Sequence, residues 1–139
     1  MICRLVMNDR DRALLTEIRH LLLRLHKTLI DWQRAEYERT HGRLQTSQLL
    51  QVIFDDPEFA WLRSMSGLIV RIDEALEAKE GEVDETGPLI AQVRELVSPA
   101  PDSPYAHRYH AALQELPDAV LARGALLTAL KLQRLQSRA

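Results

Sequence analysis

A single cysteine, Cys3, rules out an intrachain disulfide and any thiolate metal cluster. That usage fits a reducing compartment, and a cytoplasmic location is the expectation. Long hydrophobic runs are missing too. No stretch approaches the roughly 20 uncharged residues of a membrane span, and the opening Met1–Met7 stretch has no apolar run of signal-peptide length. Aromatic residues make up only 5% of the chain, so its core must be aliphatic. Glycine (5) and proline (6) are few among 139 residues. No internal repeat or low-complexity tract is present.

What is there is leucine and charge. The chain is 46% hydrophobic and 27% charged, which excludes wholesale disorder. Leucine keeps its rotamer freedom in a helix, whereas β-branched residues prefer strands, so the mixture favours helix. A chain of this length suits one domain, residues 1–139, hiding roughly two thirds of its unfolded surface. The net charge of −2 conceals a division. Residues 1–43 carry nine bases against six acids, residues 44–102 four against twelve, and residues 103–139 five against two. An acidic middle between mildly basic ends serves solubility, or a charged partner. Fifteen of the 18 basic residues are arginine, as in proteins from GC-rich bacterial genomes.

Periodicity predicts an all-α bundle of five or six helices with a long N-terminal helix. The first helix is capped at Asn8 or Asp9 and stops before Gly42. Leu15, Leu22 and Leu29 form one apolar line on it, Ile18, Leu25 and Trp32 a second, and Leu14 and Leu21 a third. Leu23, Ile30 and Tyr37, with His26 among them, form a further face that the same chain or a second copy must cover. At about 1.5 Å per residue this helix is roughly 50 Å long, longer than a compact domain of this size. A second helix is capped by Thr46 or Ser47. A third runs from Asp55-Asp56-Pro57-Glu58 to about Lys79, with Leu62, Met65, Ile69, Ile72 and Leu76 inward. An acidic loop over 80–88 precedes a fourth helix opened by Pro88. The proline-rich run 98–104 leads to a fifth helix with Tyr105, Tyr109, Ala112, Leu113 and Leu116. Pro117 starts a sixth or kinks the fifth, and Val120, Leu121, Leu127 and Leu130 form the last stripe, whose basic end is expected to fray.

The stretch Leu49-Leu50-Gln51-Val52-Ile53-Phe54-Asp55-Asp56-Pro57-Glu58-Phe59-Ala60-Trp61-Leu62-Arg63, continued by Leu68 to Leu76, resembles a family of small bacterial helical proteins. Leu22 to Lys27, with Trp32, Glu36, Tyr37 and Glu38, is similar to that family as well. The resemblance covers residues 14–76. It implies a helical fold and a bacterial origin, and no activity is assigned to the family.

Candidate chemistry is sparse. Glu17 with His20, and Glu38 with His41, repeat the Glu-x-x-His spacing of di-metal bundles. Both pairs sit on one helix, about 31 Å apart, so one chain cannot unite them. His107 and His110 share a helix face and are accompanied by Tyr105 and Tyr109, and His26 or His41 would be a third zinc ligand, but the spacing is not that of a metal-binding pair. Asp55, Asp56 and Glu58 are explained by a helix start. Ser64 and Ser66 beside Gly67 lack a nucleophile elbow. Arg4, Arg10, Arg12, Arg19, Arg24, Lys131, Arg134 and Arg138 make one patch only if the chain ends meet, and a pI near 6.2 argues against nucleic acid. No catalytic, cofactor or metal residues are therefore assigned. The expectation is a non-enzymatic interaction or structural protein, a homodimer through Leu23, His26, Ile30 and Tyr37, with a further protein partner open and no membrane association. The alternative is a metal- or small-ligand-binding bundle enzyme using buried His and Glu residues.

Overall fold

The structure, a computed structural model, describes residues 7–78 and 83–138. Among them are six α-helices, one 3-10 segment and no strand: α1 (Asp9–His41), α2 (Thr46–Asp55), the 3-10 segment (Pro57–Leu62), α3 (Arg63–Leu76), α4 (Thr86–Val97), α5 (Pro104–Glu115) and α6 (Pro117–Arg138). No helix among the described residues is long and apolar enough to cross a membrane.

Helix α1 starts and stops where its end residues dictate. The Asn8 side chain accepts the Asp11 N–H at 2.8 Å, supplying one of the partners that a helix start lacks. Gly42 ends it at φ 85° and ψ 171°, a backbone conformation open essentially to glycine alone. Beyond it, Arg34 donates to Leu44 O at 2.8 Å and Glu38 accepts the Leu44 N–H at 2.6 Å. That amide, with Arg34 nearby, holds the Glu38 carboxyl below its ordinary range. Both main apolar lines of α1 point inward, and Leu15, Ile18, Leu22, Leu25, Leu29 and Trp32 are all buried.

Four helices close a ring: α1 packs on α3, α3 on α4, α4 on α6, and α6 on α1. The α1–α3 pair is antiparallel. Arg12 donates to Leu76 O, Arg19 pairs with Asp73, and His26 meets Ser66, so one number rises as the other falls. Arg94 donating to Leu130 O and Arg123 to Val97 O set α4 against α6 in the same way. The result is an up-down-up-down bundle. Helix α5, the 3-10 segment and α2 cover the end of α1 that rises above it. The length of α1 is thus used by its own chain, in two tiers: Arg12 to Leu29 in the bundle, and Trp32 to His41 under the upper cover.

Four expectations need correction. The third helix is not continuous, because its first six residues adopt the tighter 3-10 form. Phe59, Leu62 and Met65 are each buried, a spacing of three that suits 3-10 geometry, and Asp56 caps the segment by accepting the Glu58 N–H. Helix α2 begins one residue beyond a cap at Gln45, where Gln48 reaches back to the Gln45 N–H, and Asp55 is its last residue. Helix α4 starts at Thr86, not Pro88. Asp84 accepts both the Thr86 N–H and its hydroxyl, and a proline in the first turn costs no hydrogen bond. Finally, α6 begins at Pro117, and Leu130 is buried and Leu127 packs on the core as expected, but Ala119, Ala122, Leu126 and Ala129 are buried in place of Val120 and Leu121, which are 50% and 65% exposed. Small alanines let α6 lie close against α1, and that proximity outweighs the bulk of the valine and leucine. The expected acidic loop falls partly on residues 79–82, outside the described residues.

Candidate functional site

The few aromatic residues are not scattered. Four of the seven Phe, Trp and Tyr side chains touch in one series at the upper end. Trp32 meets Trp61 edge-on at 6.2 Å, Trp61 meets Tyr105 at 6.0 Å, and Tyr105 stacks on Tyr109 at 5.4 Å. Three elements deliver them: the upper tier of α1, the 3-10 segment and α5. Between these elements opens a cleft of about 610 Å³, lined by Gln33, Glu36, Thr40, Glu58, Trp61, Tyr105 and Arg108 among others. That volume is in the range of small-ligand sites.

The polar chemistry centres on Gln33, which is 1% exposed. Its Oε1 accepts from Trp61 Nε1 at 2.8 Å and from Arg108 Nη2 at 2.6 Å. The Arg108 guanidinium lies 4.7 Å from the Trp32 ring centre and 5.9 Å from that of Trp61, within cation–π range of both. Trp32 Nε1 donates to Glu115 at 2.6 Å. Arg108 forms no ion pair with any described residue. At the rim, Glu36 pairs with Arg39 at 3.2 Å and Glu58 is exposed. Below the aromatic series, Tyr105 and Tyr109 donate their hydroxyls to Leu96 O and Val97 O, satisfying carbonyls that the end of α4 leaves open. Burial raises both phenol pKa values, that of Tyr109 to about 12, so these bonds keep their protons throughout the neutral range.

The residues singled out from the sequence are dispersed. Leu23, Ile30 and Tyr37 are half-buried and pack on the core of their own chain, Tyr37 lying 5.8 Å from the Phe59 ring. His26 is half-buried, with Nε2 2.6 Å from Ser66 Oγ, and burial lowers its pKa. This face of α1 is therefore largely occupied from within. Glu17 and His20 lie on the exposed side of α1, and Glu38 is engaged with Leu44. His41 stacks on Tyr37 at 4.0 Å. His107 and His110 are exposed. No group of three His, Cys, Asp or Glu residues among the described ones is placed to hold a metal. Of the expected basic patch, Arg12 and Arg19 are turned onto α3, while Arg4 and the Arg138 side chain lie outside the described residues.

Gln33 and Arg108 were not legible as site residues, although a signal existed. Gln33 interrupts the apolar stripe four residues after Leu29, and a polar side chain on a buried face must find partners. No family model, curated protein or solved structure matches the chain.

Proposed function

We propose that this chain is a binding protein that takes a small organic ligand in the cleft between α1, the 3-10 segment and α5. One observation carries the reading. Arg108 is held over two tryptophan rings and by the buried Gln33, yet has no carboxylate of its own among the described residues. A cation fixed in an aromatic-walled cleft is a recognition element already ordered before a ligand arrives. The chemistry on offer is donors and ring faces, which bind and orient. The nearest approach to a catalytic pair is His26 with Ser66, and Ser66 Oγ also donates to Leu62 O, the last residue of the 3-10 segment, at 3.3 Å. That pair bridges α1 and α3, and its role is structural.

Trp32 and Trp61 are the only tryptophans: Trp61 lines the cleft, and the buried Trp32 lies against the Arg108 guanidinium. Intrinsic fluorescence therefore reports occupancy directly. Small organic molecules found by ligand-observed NMR should shift this emission and raise the melting temperature. Hits that bind while leaving both tryptophans unmoved would refute the cleft. Hydrolysis of activated esters at an equal rate by the protein and its Ser66→Ala variant is the companion expectation, and a large loss would restore the enzyme reading.

Self-association is a second reading, and the exposed apolar side chains of α2 support it. Helix α2 contributes no buried residue, yet Leu50 and Phe54, one turn apart, are 55% and 73% exposed. A homodimer through α2 would cover them. Light scattering should then show a dimer that Phe54→Asp dissociates and that Leu23→Asp does not. A monomer at high concentration ends this reading.

A further inference from the structure

We infer that the cleft accepts a monoanionic carboxylate carried on an aromatic body, the carboxylate on Arg108 and Gln33 and the ring against Trp61. The inference rests on the cleft being a binding site and adds its ligand chemistry. It follows from which polar atoms are already taken. Gln33 Oε1 receives two N–H groups, from Trp61 and Arg108, neither of which can accept. Those two donors fix which end of the carboxamide is oxygen, and leave Nε2, a pure donor, as the group Gln33 has to offer. Arg108 has given one N–H to Gln33 and its face to Trp32, and the rest of its fork is donors as well. The polar end of the site is thus donor-only and positively charged. An acceptor-only anion satisfies it, and a planar carboxylate matches the guanidinium fork in two bonds.

The walls are equally restricted. The Trp61 N–H is used by Gln33 and the Tyr105 O–H by Leu96 O, so neither wall residue has a donor left for a ligand. Their ring faces suit an aromatic ring stacked or set edge-on. Charge at the rim selects further. Glu36 and Glu58 line a site whose one cation, Arg108, has no carboxylate partner among the described residues, an arrangement that disfavours a dianion such as a phosphate monoester.

The test uses phenylacetate, its neutral isostere phenylacetamide, and the dianion phenyl phosphate, titrated at neutral pH by calorimetry with tryptophan emission in parallel. Phenylacetate should bind at least about tenfold more tightly than the amide, the preference expected of charge-assisted hydrogen bonds. Gln33→Glu is the decisive variant. It keeps the shape and the acceptor for Trp61 but gives Arg108 an internal carboxylate, so acid binding should fall to the level of the amide while the melting temperature holds. Equal binding of acid and amide, with the tryptophans responding, would overturn the carboxylate and leave the cleft standing. Tighter binding of phenyl phosphate would overturn the monoanion. Silence of both tryptophans toward all three probes would overturn the inference as well, and the cleft itself falls only if the wider set of small molecules is silent too.

Discussion

Arg108, Gln33 and Trp61 hold one another in place, and each is spoken for by two of the others' neighbours. Removing the amide of Gln33 leaves two partly buried N–H groups short of an acceptor, so Gln33→Leu should cost about 1 kcal/mol, seen in chemical denaturation. In the aliphatic core the currency is volume. Leu25 is fully buried in the bundle tier, and Leu25→Ala should cost about 2–5 kcal/mol with tryptophan emission in the folded state unchanged. His26 brings a pH dependence. Burial lowers its folded pKa below the ordinary imidazole value of 6.5, so the unfolded chain takes up the proton at higher pH than the folded one. Stability is then full above neutrality and falls as the pH drops through 6.5 toward the folded value. Melting temperatures across that window should show the step, and His26→Gln should flatten it. A step of equal size in the variant would assign it to another group.

The elements are set by their ends. Helix α1 depends on Gly42, whose φ of 85° with an extended ψ is strained for any side chain. Although nothing lies within 4 Å of a Cβ there, Gly42→Ala should lower stability by about 1–3 kcal/mol through backbone strain alone. Asn8→Ala, at the other end of the same helix, should cost about 1 kcal/mol. These ends were readable in the sequence because caps and glycine stops act through local backbone geometry. The face of α6 was not. Ala119, Ala122 and Ala129 carry little hydrophobic weight, so the sequence pattern nominates Val120 and Leu121 instead. How close two helices come is a property of the pair, and neither helix shows it alone. The 3-10 segment was hidden for a similar reason: a spacing of three also fits an α-helical stripe, and the two forms differ only when the partners are present.

At the scale of the whole molecule, α1 serves two structures. Its lower tier is one strut of a four-helix ring, and its upper tier is the floor on which the 3-10 segment and α5 build the aromatic cleft. This division accounts for a helix longer than a compact domain needs, and it leaves the face of Leu23, His26, Ile30 and Tyr37 half-buried against its own chain. The two tiers should separate under perturbation. Trp61→Ala should open the cleft and abolish ligand-induced stabilisation, while helical circular dichroism and the core of the lower ring persist. Loss of all helical signal in that variant would show the tiers to be one cooperative unit.

Sequence alone determined the helical class, the register and both ends of α1, and the proline starts of α5 and α6, because periodicity and capping act within a few residues along the chain. It also determined that the core is aliphatic. Only the tertiary structure decided which leucines and alanines meet across helices, and that Gln33, Trp61, Tyr105 and Arg108, up to 75 residues apart, converge on one cleft. Bringing distant donors and rings together depends on the order and spacing of helices around the ring, and no local pattern encodes that.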